Sequence, residues 1–217
     1  MGDRYTAGII TDKTTGGGYG IYAHWSGWRG NAVMVTAVAR YLKLDSELQR
    51  PERLVTLVAD GFGYHKGDCL AEITRFEKNA DDERMGDALY PLFSVNNGVA
   101  IDLSSAGGKV TLGDETYDSL ESFVREVGPQ VMQDQLDRLG YLVDYEREAQ
   151  GRLKTDAKHW LIMRSQVIGE LENALEDLGI DPIAPVVAQE IAMEPMTLEL
   201  TEDLAMEPLD HGMTMNR

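Results

Sequence analysis

Cysteine is almost missing from this 217-residue chain, with Cys69 its single copy. One thiol excludes an internal disulfide, and without a second cysteine or a close histidine it makes no zinc knuckle; a buried, inert side chain is expected. Histidine is sparse as well: His24, His65, His159 and His211 lie far apart and in no HxH or HExxH spacing, so no local metal site is expected. No apolar run approaches the roughly 20 residues of a bilayer-spanning helix. The opening "MGDRYTAGII" has no basic stretch leading into an apolar one, so a cytoplasmic location is expected, in the host cell if the chain is phage-encoded. No Walker lysine follows "GGGYG", no GxGxxG opens a helix, and no GxSxG, kinase set, paired glycosidase carboxylates or helix-turn-helix pattern stands out. Those absences leave no residue to nominate as catalytic, no metal ligand and no cofactor.

Acid is what the chain has in excess, and it is unevenly placed. Residues 1–110 carry 12 Lys and Arg against 14 Asp and Glu, a net of −2, whereas residues 111–217 carry 8 against 23, a net of −15. A field of that sign repels phosphate backbones and anionic membranes. Direct nucleic-acid or membrane binding is therefore not expected, and the acidic half suits either a solvated surface or a basic protein partner.

Patterning predicts mixed elements. "YTAGIIT", residues 5–11, reads as a strand ending in the turn formers "DKTTGGG"; from Gly20, "GIYAHW" alternates, with Ile21, Ala23 and Trp25 on one face and Tyr22 and His24 on the other. The two make a hairpin. Asn31 is placed to cap a helix carrying Met34, Val35, Val38, Tyr41 and Leu42, and Pro51 starts a second with Leu54, Leu57 and Val58 inward. Residues 68–90 stay ambiguous between strand and helix at "CLAEITRF" and read as an exposed loop at "EKNADDERMGD". "NNGVAIDLSSAGGKVTLGD", residues 96–114, predicts a second hairpin. Beyond it come a helix starting near Thr116 and Ser119, a separate short helix "PQVMQDQLDRLG" closed by Gly140, and a longer helix over about 155–178 stopped by Gly179. Residues 181–217 hold eight acidic side chains, five methionines and four prolines, and repeat "AMEP" at 192–195 and 205–208. The prolines forbid one continuous helix, so an extended tail is expected.

One stretch concentrates chemistry. "SGWRGN", between a strand end and an expected helix start, offers backbone N–H groups, small glycines and a bidentate cation, the ingredients of an anion site. His24, Ser26, Trp28, Arg29 and Asn31 are the candidate ligand-binding residues, with His24 as base or hydrogen-bond partner and Trp28 available for stacking. The bland reading assigns the same residues to plain strand–loop–helix chemistry. "GYHKGDC" brings His65, Asp68 and Cys69 close in sequence, a weak pointer to a Cys–His pair.

"RYTAGIITD" leading to "GIYAHWSGWRG" resembles uncharacterised small proteins of bacteriophages, prophages and actinobacteria with a GIYxHWxG strand-loop motif, and "NNGVAIDL" is similar to a "DNGxY" strand in some of them. The resemblance covers about residues 4–112. It implies a phage or mobile-element origin and no particular reaction. Where many of those proteins continue with "DGYP", this chain has "SGWRG", which removes an acidic residue.

These observations together predict an α+β fold: a small, mainly antiparallel sheet packed with helices over residues 1–114, an acidic helical region over 115–180, and an acidic tail over 181–217 that contains Met and Pro. The function expected first is that of a non-enzymatic phage-type accessory protein acting through protein–protein contacts made by its acidic surface and C-terminal tail, with a basic partner or with itself. The alternatives are binding or modification of a phosphate- or carboxylate-bearing small molecule around His24 and Arg29, and a structural role in a virion.

Overall fold

A computed structural model describes residues 4–12, 14–24, 26–63, 71–76, 98–148 and 155–182. Trp25, the "YHKGDC" residues at 64–69, the "EKNADDERMGD" stretch and the tail from 183 on lie outside the described residues.

Strands β1 (Tyr5–Ile10) and β2 (Gly18–Ala23) form the expected hairpin, in register from Tyr5 opposite Ala23 to Ile10 opposite Gly18. The Asp12 carboxylate accepts the N–H groups of Thr14 at 2.7 Å and Thr15 at 3.2 Å, which holds the turn between them. "AEITRF" resolves into a strand, β3 (Ala71–Phe76), antiparallel to β2. The second hairpin is β4 (Gly98–Asp102) with β5 (Lys109–Leu112), followed by β6 (Glu115–Tyr117). The six strands lie in the order β3-β2-β1-β4-β5-β6, and only the central pair β1–β4 is parallel. Period-two alternation puts Tyr5, Ala7, Ile9, Ile21, Val99, Ile101 and Val110 on one face of the sheet, all nearly inaccessible.

That face is covered by helices. Helix α1 (Gly27–Leu42) crosses β1 and β4, α2 (Pro51–Gly61) lies by β2, and α3 (Leu120–Glu148) lies by β5 and β6. Helix α4 (Thr155–Glu176) packs on α1 and α3, forming a further layer away from the sheet. Buried side chains from the sheet and all four of these helices join in one core cluster. The architecture is α+β with a six-stranded mixed sheet.

Three element boundaries depart from expectation. Helix α1 starts at Gly27, so "GWRGN" is its first turns rather than a loop, and Asn31 is an internal residue whose Oδ1 accepts the Tyr5 hydroxyl at 2.9 Å. Position 30 has room only for glycine because the Tyr5 ring lies against it: a Cβ there would stand 2.0 Å from Tyr5 Cδ2. Thr116 belongs to β6, opposite Thr111, and the next helix starts after Ser119. There Ser119 and Ser122 cap reciprocally, the Ser122 N–H donating to Ser119 Oγ at 3.0 Å and the Ser119 N–H to Ser122 Oγ at 3.2 Å. Finally, the two helices expected on either side of Pro129 are one, α3, which also runs through Gly140. At Gly128 the α3 backbone lies so close to its neighbours that a Cβ would meet Leu175 Cδ2 at 2.6 Å and Val35 Cγ1 at 3.5 Å. Packing on both sides outweighs the one backbone bond that Pro129 forfeits. Gly179, with φ +64°, ends α4 as expected, and the Ile180 N–H returns to the Leu175 carbonyl at 3.0 Å.

Candidate functional site

Helix α1 is central to the helical layers, and nearly every residue from Ala32 to Ala39 is inaccessible. Its neighbours are ordered by pairwise contacts. Phe62, just past α2, meets Arg29, while Tyr41 feels the charge of Glu52, so α2 runs antiparallel to α1. Gln135 meets Trp28 and Arg164, and Gly128 meets Val35 and Leu175, so α3 is antiparallel to both α1 and α4. Helix α4 fills the seam between α1 and α3. The matching seam between α1 and α2 is a groove of about 530 Å³.

Small residues make this groove possible. Ala32, Val33, Thr36 and Ala37, on one face of α1, form its floor; Leu57, Asp60 and Phe62 wall it on the α2 side, and Met163, Gln166 and Val167 on the α4 side. Charge sits at its ends: Arg29, Asp60 and His159 toward one, and Arg40 with Glu170 at the other. Arg40 and Glu170 pair at 3.4 Å with about half of each side chain exposed, which makes the pair a weak one and its members open to other partners. The floor of small, nearly inaccessible side chains thus lies between charged ends.

The five candidate residues meet different fates. Ser26, 2% exposed, precedes α1, and its hydroxyl donates to the His24 carbonyl at 3.0 Å instead of capping the helix. The His24 ring stands edge-on to Tyr22 with centroids 4.5 Å apart and is not part of the groove lining. Asn31 is held by Tyr5. The Arg29 guanidinium donates to Ser26 Oγ at 3.3 Å and to the Phe62 carbonyl at 3.2 Å, tying the start of α1 to the end of α2. Of the five, Arg29 alone lines the groove. The structure thus brings Ser26 and Arg29 together, and the His24 side chain stands apart from them.

Trp28 belongs to a second constellation. The Arg164 guanidinium lies 4.7 Å from its ring centroid, and Trp160, itself 41% exposed, packs edge-on to it at 5.6 Å. Arg164 is 7% exposed and donates to Gln135 Oε1 at 2.8 Å, while Gln135 Nε2 donates to the Trp28 carbonyl at 2.8 Å. Burial and the neighbouring Arg138 lower the pKa of the Arg164 guanidinium, with Asp134 opposing them. This chain of contacts joins α1, α3 and α4. It carries load in the fold more than it offers a surface, since Gln135 is 2% exposed.

Sequence reasoning passed over Arg40, His159, Met163 and Glu170, which line the groove from positions scattered over the chain. The signal available was the small-residue face of α1 bounded by two arginines. Among the described residues no three His, Cys, Asp or Glu side chains gather as a metal-binding group, and no helix is long and apolar enough to cross a membrane. Fold and site together define an α+β protein with an interhelical groove. Compared with protein-family models, curated proteins and solved structures, the chain matches none.

Proposed function

We propose that this is a non-enzymatic accessory protein, of the phage type its N-terminal motif resembles, which acts by protein–protein contact through the α1–α2–α4 groove. The observation carrying this reading is the groove's composition: a floor of small side chains with a cation and an acid at each end, Arg29 with Asp60 and Arg40 with Glu170. Such a cleft suits an extended peptide that places apolar side chains on the floor and carboxylates at both ends. Arg29 and Arg40 are eleven positions apart on one helix, or roughly 16 Å, a span that a short peptide covers and a lone phosphate does not. The hydrogen bonds that Arg29 already makes to Ser26 and Phe62 favour a peptide over a small anion held by that residue alone.

Selection from a random peptide display library on the intact protein tests the reading. Enriched peptides are expected to combine aliphatic residues with spaced acids, and to lose binding on Met163→Glu, which puts a carboxylate on the groove wall. Enrichment indifferent to Met163→Glu, or of basic peptides only, would count against the groove as the contact site.

A further inference from the structure

Around each "AMEP" the tail repeats a longer phrase. Glu190-Ile191-Ala192-Met193-Glu194-Pro195-Met196 and Asp203-Leu204-Ala205-Met206-Glu207-Pro208-Leu209 share one pattern: acid, aliphatic, Ala, Met, Glu, Pro, apolar. The seven consecutive positions agree in chemistry, thirteen residues apart.

We propose that the first copy of this phrase is an occupant of the groove on its own chain. The inference rests on the groove being a peptide-docking site and names the peptide. An extended Glu190–Glu194 segment separates its two carboxylates by about 13 Å, four residues at roughly 3.3 Å each. That is within side-chain reach of the roughly 16 Å between the Arg29 and Arg40 positions. Alternation sends Ile191 and Met193 to one side, toward the partly exposed Leu57, Met163 and Val167, and leaves Glu190 and Glu194 on the other. Pro195 biases Glu194 toward the extended backbone that this register needs.

The chain leaves the fold in a suitable place. Gly179 reverses it at the end of α4, Ile180 is tucked into the core at 8% exposure, and Pro182 is the last described residue. Pro182 follows Ile180, whose N–H donates to the Leu175 carbonyl, about 8 Å along α4 from Glu170. Residues 183–189, "IAPVVAQ", carry no charge and span about 23 Å when extended, enough to return to the Arg40 end. Tethering also answers the charge problem. A net charge of −17 weakens the binding of a free acidic peptide without preventing it, whereas a segment of the same chain is present at about millimolar effective concentration. The second copy is then left for another molecule.

The test is a photo-cross-linking amino acid in place of Gln166, an exposed groove-wall residue, in the full chain. Mass spectrometry is expected to find cross-links to residues 190–196 in the monomer-mass species, lost on Ile191→Glu with Met193→Glu. Arg40→Glu should lower the yield by about fivefold, the scale of an exposed ion pair, and Glu170→Lys should raise it. Both substitutions break the Arg40–Glu170 pair, so a purely structural effect would move them in the same direction. No cross-link to the tail, tail cross-links confined to a dimer-mass species, or equal responses to the two charge changes would overturn the proposal. If a display-selected peptide added in trans still cross-links to position 166 when the tail does not, the groove reading stands and the intramolecular one fails. If neither cross-links, both fail.

Discussion

Replacing Gln135 by Leu strands a buried cation, and its cost follows from the hydrogen bonds lost. Gln135 Oε1 accepts from Arg164 at 2.8 Å, a charge-assisted bond of about 2 kcal/mol, and Gln135 Nε2 donates to the Trp28 carbonyl, a neutral bond of about 1 kcal/mol. Gln135→Leu is therefore expected to destabilise by about 3 kcal/mol, because the Arg164 guanidinium stays buried without its acceptor. Among the described residues Arg164 Nε already lacks a partner. Arg164→Met removes the charge together with its desolvation cost and leaves one amide oxygen unmet, so about 1 kcal/mol is expected. In the double variant no charge is buried and the Trp28 carbonyl keeps its place in the helical ladder, so the total should stay near 2 kcal/mol rather than the additive 4 kcal/mol. Urea unfolding at constant m-value measures all three. Additivity within about 0.5 kcal/mol, or a cost above about 3 kcal/mol for Arg164→Met, would refute the account of Arg164 as a cation dependent on Gln135.

Further outcomes follow from other sites. Burial raises the Tyr5 phenol well above its ordinary pKa, and burial with the Glu115 carboxylate lifts Tyr117 to about 12. Both folded values exceed the unfolded one, so their contribution to stability is complete below about pH 10 and is lost as pH rises above it. Phenolate absorbance should show the Tyr5 signal only as the protein unfolds; a Tyr5 that ionises with the exposed tyrosines would contradict its packing. The glycines should rank by space. Gly30→Ala, with its Cβ 2.0 Å from the buried Tyr5 ring, should cost more than about 3 kcal/mol, Gly128→Ala, 2.6 Å from the end of Leu175, about 1 kcal/mol, and Gly169→Ala, with nothing within 4 Å, should stabilise by about 0.5 kcal/mol. Thermal or urea midpoints check that order.

Local pattern carried much of the fold. Alternation around Ile21 and Ala23, Pro51 at a helix start, the "SSAGG" turn and Gly179 as a stop all appear where their chemistry places them, because each depends on neighbours in sequence. The misreadings share a different cause. Gly27, Gly30 and Gly128 look like breakers in a sequence, yet Gly30 and Gly128 are small because a ring or another helix lies against them. Thr116 forms a strand because Thr111 is opposite it, a pairing no local rule supplies. The groove was legible only in fragments. Arg29 drew notice through its glycine-rich setting, but Asp60, Met163 and Glu170 join it through the packing of α2 and α4 on α1, and that packing has no periodic signature. Buried Gln135 and Arg164 were hidden for the same reason, since polar residues on helices read as solvent-facing until a partner helix is placed.

Methionine methyl groups report on peptide docking in the groove. Met163 lines the groove, whereas Met34 and Met132 are buried elsewhere in the core at 0% and 2% exposure. Methyl-detected NMR during titration with a display-selected acidic peptide should shift the Met163 resonance and leave those of Met34 and Met132 in place. A peptide that binds while Met163 stays fixed would contradict the groove as the contact site.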